Sequence, residues 1–193
     1  MSVTFSLENL VYAKQLTDTK EGATYGAVKS MAGSIEAKVN PNASTATYHA
    51  DNKVKGVATS KGAIEIELGI DSLSKEVRAD VLGSEIDDNG VLLESPDDQA
   101  PYVAIGFSAD ADNGGKDYYW FYKGKFEVPS DNFQTKTDKI EFQTGSIKGT
   151  FIPPDFHNKD KAVINSKDAT VAAEVIENWF NAVYVPNQVL TTP

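Results

Sequence analysis

Ile64-Glu65-Ile66-Glu67-Leu68-Gly69-Ile70 alternates between aliphatic residues and polar or small ones. Successive side chains of a strand point to opposite faces, so a period of two buries Ile64, Ile66, Leu68 and Ile70 and turns Glu65 and Glu67 the other way. This is the signature of a half-buried strand in an antiparallel sheet. Working outward, further strand-like runs occupy 9–16, 26–40, 43–50, 91–94, 102–109, 117–128 and 139–152. Asp87-Asp88-Asn89-Gly90 and Asp112-Asn113-Gly114-Gly115 supply residues that tolerate positive φ and read as hairpin turns. In 139–152, Ile140, Phe142 and Thr144 share even positions, whereas Ile147, Gly149 and Phe151 share odd ones, and a β-bulge near Gly145 would restore the register. Pro153-Pro154 then ends the ladder.

Two segments have helical spacing instead. Residues 72–82 align Leu73, Val77 and Val81, with Asp71 or Ser72 as N-cap and Gly83 at the C-terminal end. Residues 170–183 align Ala172, Val175, Ile176, Trp179, Phe180 and Val183 after Asp168 or Thr170 as cap. Both are expected to cover a sheet face. The connections 41–62 and 153–167 read as long polar loops, and 186–193 as an extended tail. The fold class expected is therefore mainly β, an antiparallel sandwich or partial barrel with one flanking helix and a C-terminal helix.

The 193 residues carry 18 basic and 28 acidic side chains, a net charge of −10, which argues against high-affinity binding of nucleic acid. Cysteine is absent, excluding thiol catalysis, disulfides and cysteine-ligated metals. The N-terminal stretch lacks the basic-then-apolar order of an export signal, and no run approaches the length of a membrane-spanning helix, so a soluble chain is expected.

Catalytic and ligand motifs fail on spacing. Gly22 and Gly26 are too close for a phosphate loop, and Lys29 does not directly follow the second glycine. Around Asp110, Asp112 and Asn113, Gly114 occupies a ligand position of a calcium loop and Phe121 replaces its bidentate glutamate. Ser72 and Lys75 match a Ser-x-x-Lys spacing without its partner motifs, and Ser72 is better used as a cap. His49 and His157 stand in polar stretches and read as surface histidines. Tyr118-Tyr119-Trp120-Phe121-Tyr122 could stack on sugars. Large groups on both faces favour instead a central buried strand, with Tyr118, Trp120, Tyr122, Phe126 and Val128 on one side and Tyr119 and Phe121 on the other.

Several segments, taken in order, resemble one family: 7–14 (LENLVYAK), 69–83 with its Leu73-x-x-Glu76-Val77 core, 100–107 (APYVAIGF), 120–126 (WFYKGKF), Phe142-Gln143-Thr144 with Gly149-Thr150-Phe151, and Asn178-Trp179-Phe180. They are similar to the major tail proteins of long, non-contractile-tailed bacteriophages of Gram-positive hosts. The likeness lies in their order and spacing over nearly the whole chain.

The resemblance implies a single tail-tube domain over 1–193, with 41–62 as the inter-strand loop and 165–193 as a C-terminal helix and arm. It implies a structural protein, made and assembled in the host cytoplasm and located in the virion tail. Its copies would close into hexameric rings stacked as the conduit for genome ejection. The partners implied are the chain itself, the tape measure, tail terminator and distal tail proteins, and double-stranded DNA as non-specific passing cargo, with no membrane. No catalytic residue, cofactor or metal is carried over. Ser44, Tyr48, Asp51 and Lys55 are candidates for ring stacking, Glu65 and Glu67 for the lumen, and Trp179 and Phe180 for subunit contacts. A carbohydrate-binding β-sandwich and a hydrolase are the alternatives from other classes.

Overall fold

The structure, a computed structural model, describes residues 4–50, 53–130 and 145–186. In chain order the elements are β1 (Thr4–Thr19), β2 (Gly22–Tyr25), β3 (Lys29–Ser30), β4 (Ser34–Ala50), β5 (Lys53–Ile70), α1 (Lys75–Leu82), β6 (Glu85–Ile86), β7 (Leu92–Leu93), β8 (Val103–Ala111), β9 (Lys116–Phe126), β10 (Gly145–Ile152), β11 (Lys161–Asn165) and α2 (Ala173–Glu177). The main sheet runs β2-β1-β8-β9-β10-β5-β4, with β3 on β1 and β11 on β9; β6 and β7 form a separate hairpin. All pairings are antiparallel, and among the described residues the sheet is not closed. The mainly β, sandwich-like expectation holds.

The sheet divides along β9. Its first half, Asp117–Phe121, pairs with β11, and its second half, Lys123–Phe126, with β10, which leads to β5 and β4. The sheet folds over so that Ile64, Ile66, Leu68 and Ile70 of β5 join Leu10 and Tyr12 of β1, Val103, Ile105 and Phe107 of β8, and Phe121 and Phe126 of β9 in one core. Glu65 and Glu67 lie on the opposite face of β5, as the alternation requires. A second core lies on the other face of β1-β8-β9, where Ala13, Ala104, Trp120 and Tyr122 meet Trp179 and Val183. Gly106 leaves the space that the Trp120 ring occupies: a Cβ there would come within 2.9 Å of it.

The aromatic run is thus a strand buried on both faces, with one correction. Phe126 lies with Phe121, not with Trp120, because the β8–β9 register shifts between Val103 and Ile105, opposite Phe121–Gly124. A bulge reverses the parity of the residues on its far side, and Val128, farther along, is exposed.

The first helix is α1, shorter than the expected 72–82. Its cap is Ser74, whose Oγ accepts from the Val77 N–H at 3.3 Å, rather than Asp71 or Ser72. Gly83 ends it at φ +83°, where a Cβ would meet the Gln99 carbonyl. Val77 and Val81 are buried and Leu73 packs against the same core, so the expected stripe is present. The second helix is only Ala173–Glu177, and its N-cap residue, Ala172, supplies no side-chain bond. Asp168 instead accepts from the Thr170 N–H and hydroxyl, fixing the turn before it. The Asn178 side chain donates to the Glu174 carbonyl, and the chain continues in turns that still place Trp179 and Val183 on the sheet.

Other expectations move at their ends. The run 26–40 is broken between Ser30 and Ser34, and 153–167 contains β11, whose Ala162 and Ile164 pack on the second core. The bulge expected near Gly145 is not seen in the described part: β10 pairs with β5 without a shift from Gly145 to Phe151, and 131–144 lie outside the described residues.

Candidate functional site

The largest departure from the sequence reading is 41–62, which is no loop. β4 and β5 stay paired from Ala43 opposite Lys61 to Ala50 opposite Lys53, interrupted only by a register shift between Tyr48 and His49. Solvent on both faces removes the alternation by which a strand is recognised, and what remains is strand propensity in Thr45, Thr47, Val54, Val57 and Thr59. Every described side chain from 41 to 48 and from 57 to 62 is exposed. At about 3.3 Å per residue, this two-stranded ribbon extends about 30 Å. It leaves the sheet at a register shift between Pro41 and Ala43. Its base is tied by Asn42 Nδ2 donating to Glu65 at 3.0 Å and by the Ser44 and Ser60 hydroxyls at 2.7 Å. Ser44, Tyr48 and Lys55 therefore stand on one projecting element; Asp51 lies outside the described residues.

The other candidates lie elsewhere. Glu65 is exposed and Glu67 half-buried on the outer face of β5. Glu67 stands opposite Lys38 of β4 and Lys148 of β10, and Glu65 opposite Asn40 and Thr150, so that face mixes charges. Trp179 is 2% exposed and belongs to the chain's own core: its carbonyl accepts from Trp120 Nε1 at 2.9 Å and its ring stacks on Tyr184. Phe180 is half-buried against Tyr118 and Trp120. This cover also removes Trp120 and Tyr122 from any sugar-stacking platform.

Polar clusters that sequence spacing could not reveal hold the body together. Asp80 of α1 accepts from Tyr12 Oη at 2.7 Å and pairs with Lys14 and Lys29 at 2.6 Å each. Burial works against its charge, but these three donors outweigh it and hold the carboxyl at about 2. Burial and the Asp80 carboxylate together push the Tyr12 hydroxyl up. Lys29, the lysine of the failed phosphate loop, is thus paired with a carboxylate of its own chain, although its side chain is exposed. Asp18, at the end of β1, pairs with Lys123 of β9 at 2.6 Å and accepts from the Asp155 and Phe156 N–H groups. Burial again opposes its charge, and the lysine with the two amides wins, lowering its pKa. Nearby, His157 is half-buried with its ring edge-on to Tyr122, correcting its reading as a surface side chain. Burial lowers its pKa.

Ser72 caps nothing, and Lys75 donates to the Gly90 carbonyl at 2.8 Å in the β6–β7 turn. Asp112-Asn113-Gly114-Gly115 is the β8–β9 hairpin turn, closed by Gly115 N–H donating to Asn113 Oδ1, with Gly114 at φ +70°. The arrangement offers no grouped acid, base and nucleophile among the described residues. What it offers is a rigid two-core body with a ribbon standing off it.

No curated protein matches the chain in sequence. The family model described as phage tail tube protein matches residues 16–173, from the end of β1 through to the start of α2.

Proposed function

Since the chain belongs to the phage tail tube protein family, a structural component of the virion tail, we propose that six copies close into a ring and that the rings stack into the conduit for genome ejection. The observation that carries this reading is the ribbon 41–62. An isolated two-stranded ribbon gains too little burial to be stable in water, so a long one with a defined register has its use against another surface. Ser44, Tyr48 and Lys55, with Asp51 between the strands, are its proposed stacking residues.

The sheet supports ring closure. β2 and β4 are its terminal strands, and unpaired strand edges are templates for pairing with a neighbouring chain. Closing six such sheets edge to edge would remove the edges. Glu65 and Glu67, on the polar face of β5, are proposed to face the lumen, where net negative subunits let DNA slide as passing cargo. Phe180 and the segment after it are proposed to touch neighbouring subunits, with Trp179 anchoring that segment in its own core. The tape measure, tail terminator and distal tail proteins are the proposed heterologous partners.

Replacing Ser44–Ser60 by Asn-Gly, which suits a two-residue hairpin closing on the Ala43–Lys61 pair, tests the reading. Circular dichroism should show a folded subunit. Electron microscopy should show six-fold rings and tubes from the native chain and no tubes from the shortened one. Normal tubes from the shortened chain would overturn the assignment.

A further inference from the structure

We propose that the ribbon of one copy docks on the β6–β7 hairpin of a second copy; the inference rests on the stacking role of the ribbon and adds the surface that receives it. The two surfaces are complementary in charge. Residues 41–62 carry three lysines, Lys53, Lys55 and Lys61, against one aspartate, in a chain of net charge −10. Residues 85–98 carry six acidic side chains and no basic one.

They are also alike in their apolar content. Tyr48, Val54 and Val57 on the ribbon, and Val91 and Leu93 at the hairpin, are each more than half exposed. Together they are five of the eleven large apolar side chains exposed among the described residues. The ribbon's apolar side chains lie in a stretch where lysines outnumber acids and the hairpin's in one rich in carboxylates, the pattern of an interface core within a charged rim. The acidic side is held ready for a partner. Lys75 bonds the Gly90 carbonyl, Arg78 pairs with Glu94 at 2.6 Å, and Asp87 accepts from the Asn89 and Val91 N–H groups, so the hairpin is braced against α1. Little ordering is left for association to carry.

Among the described residues, neither group of exposed apolar side chains is covered within one copy. Two different patches on one chain make a head-to-tail contact, and such contacts repeat instead of closing after two copies. That is the symmetry a stack of rings requires. The opposite charges would also steer the approach, with a reach of about 8 Å at physiological salt.

The test uses the full chain, with tube formation followed by sedimentation and electron microscopy. A Glu85→Lys, Asp88→Lys, Asp97→Lys chain and a Lys53→Glu, Lys61→Glu chain should each need at least tenfold more protein for half-assembly than the native chain. Mixed in equal amounts they should assemble at least threefold more readily than either alone, because the first chain's basic ribbon then finds the second's acidic hairpin, and the second's acidic ribbon finds a hairpin whose net charge has gone from −6 to zero. Native assembly by the triple variant, or a mixture that stays as poor as its components, would overturn the docking pair. If either reversed chain proves unfolded by circular dichroism, the Glu85→Gln, Asp88→Asn chain decides: a rise of at least threefold supports the contact, and no rise overturns it. Native assembly by the triple variant, with the Asn-Gly ribbon replacement still abolishing tubes, removes only the proposed acceptor. Tubes from the ribbon replacement remove the stacking reading itself.

Discussion

β8 and β9 and the ribbon of β4 and β5 are both antiparallel pairs of consecutive strands, yet their surroundings are opposite. Along β8, seven consecutive residues from Val103 to Ala109 are buried, and in β9 Trp120, Phe121 and Tyr122 are each at most 1% exposed. Along the ribbon no described side chain is buried. Backbone pairing is therefore common to both and cannot account for their difference in stability. Burial on the two faces stabilises the first pair, whereas the second draws only on its ladder and on short cross-strand contacts. The body of the subunit is specified by its own cores, and the ribbon has no core of its own.

The sharpest way to break the comparison is to remove a ring from the doubly buried pair. Trp120→Ala deletes the indole over Gly106, its bond to the Trp179 carbonyl and its packing with Phe180. Such truncations cost about 3–5 kcal/mol, and here the C-terminal cover should loosen with them. Chemical denaturation should show the loss, and limited proteolysis should show earlier cleavage after residue 165.

Next in size is the buried ion pair between β1 and β9. Lys123→Met leaves Asp18 with its two backbone donors but without its cation, in a site where the two side chains are 12% and 8% exposed. Removing one partner of a buried pair costs about 3 kcal/mol. A double-mutant cycle with Asp18→Asn checks it: the double variant should lie closer to the native chain than Lys123→Met alone.

These two predictions also mark where sequence reading succeeds and where it stops. The alternation of 64–70 places all four aliphatic residues in the core and both glutamates outside it, because one face there is dry and the other wet. The doubly buried strand is legible from consecutive aromatic residues, although the bulge that turns Phe126 to the other core is marked only by Gly124, the one glycine within β9, and period-two alternation carries past it. The ribbon is illegible by period because both its faces are wet, and β11 is hidden because its apolar run is only Ala162-Val163-Ile164. The Asp80 and Asp18 clusters join residues that only the fold brings together. As to function, the familiar catalytic and ligand motifs fail on spacing, and the resemblance over nearly the whole chain supplies the family.

A smaller effect comes from acid. The Asp80 carboxyl lies at about 2, below its ordinary value near 3.8, so its charged form is favoured by folding. Its contribution is therefore fully present above pH 4 and is lost as the pH falls from about 4 towards 2. Asp18, shifted in the same direction, adds to that loss. Thermal unfolding between pH 5 and 2 should show a fall in melting temperature that Asp80→Asn makes shallower. A native-like slope in Asp80→Asn would show that the Lys14 and Lys29 pairs contribute nothing.

The smallest effect on the subunit, and the one that most sharpens the comparison, is expected on the ribbon. Tyr48→Ser and Val57→Ala alter side chains that are 67% and 63% exposed, and neither leaves a cavity or an unpaired buried group. Surface substitutions of this kind change folding stability by less than about 0.5 kcal/mol. The ribbon's amides need no global unfolding to exchange, because its ladder opens locally with little apolar surface at stake. In the separate subunit, amides of 43–50 and 53–61 should therefore exchange far faster than those of β8 and β9, with Tyr48→Ser leaving both sets unchanged. In assembled tubes the ribbon amides should slow towards the β8–β9 rate, because a second surface then supplies the burial that the subunit lacks. Tyr48→Ser should weaken that slowing while the β8–β9 amides stay as they were. Equal protection of ribbon and core in the separate subunit would mean that the ribbon is stable by itself, and the contrast drawn between the two strand pairs would fail.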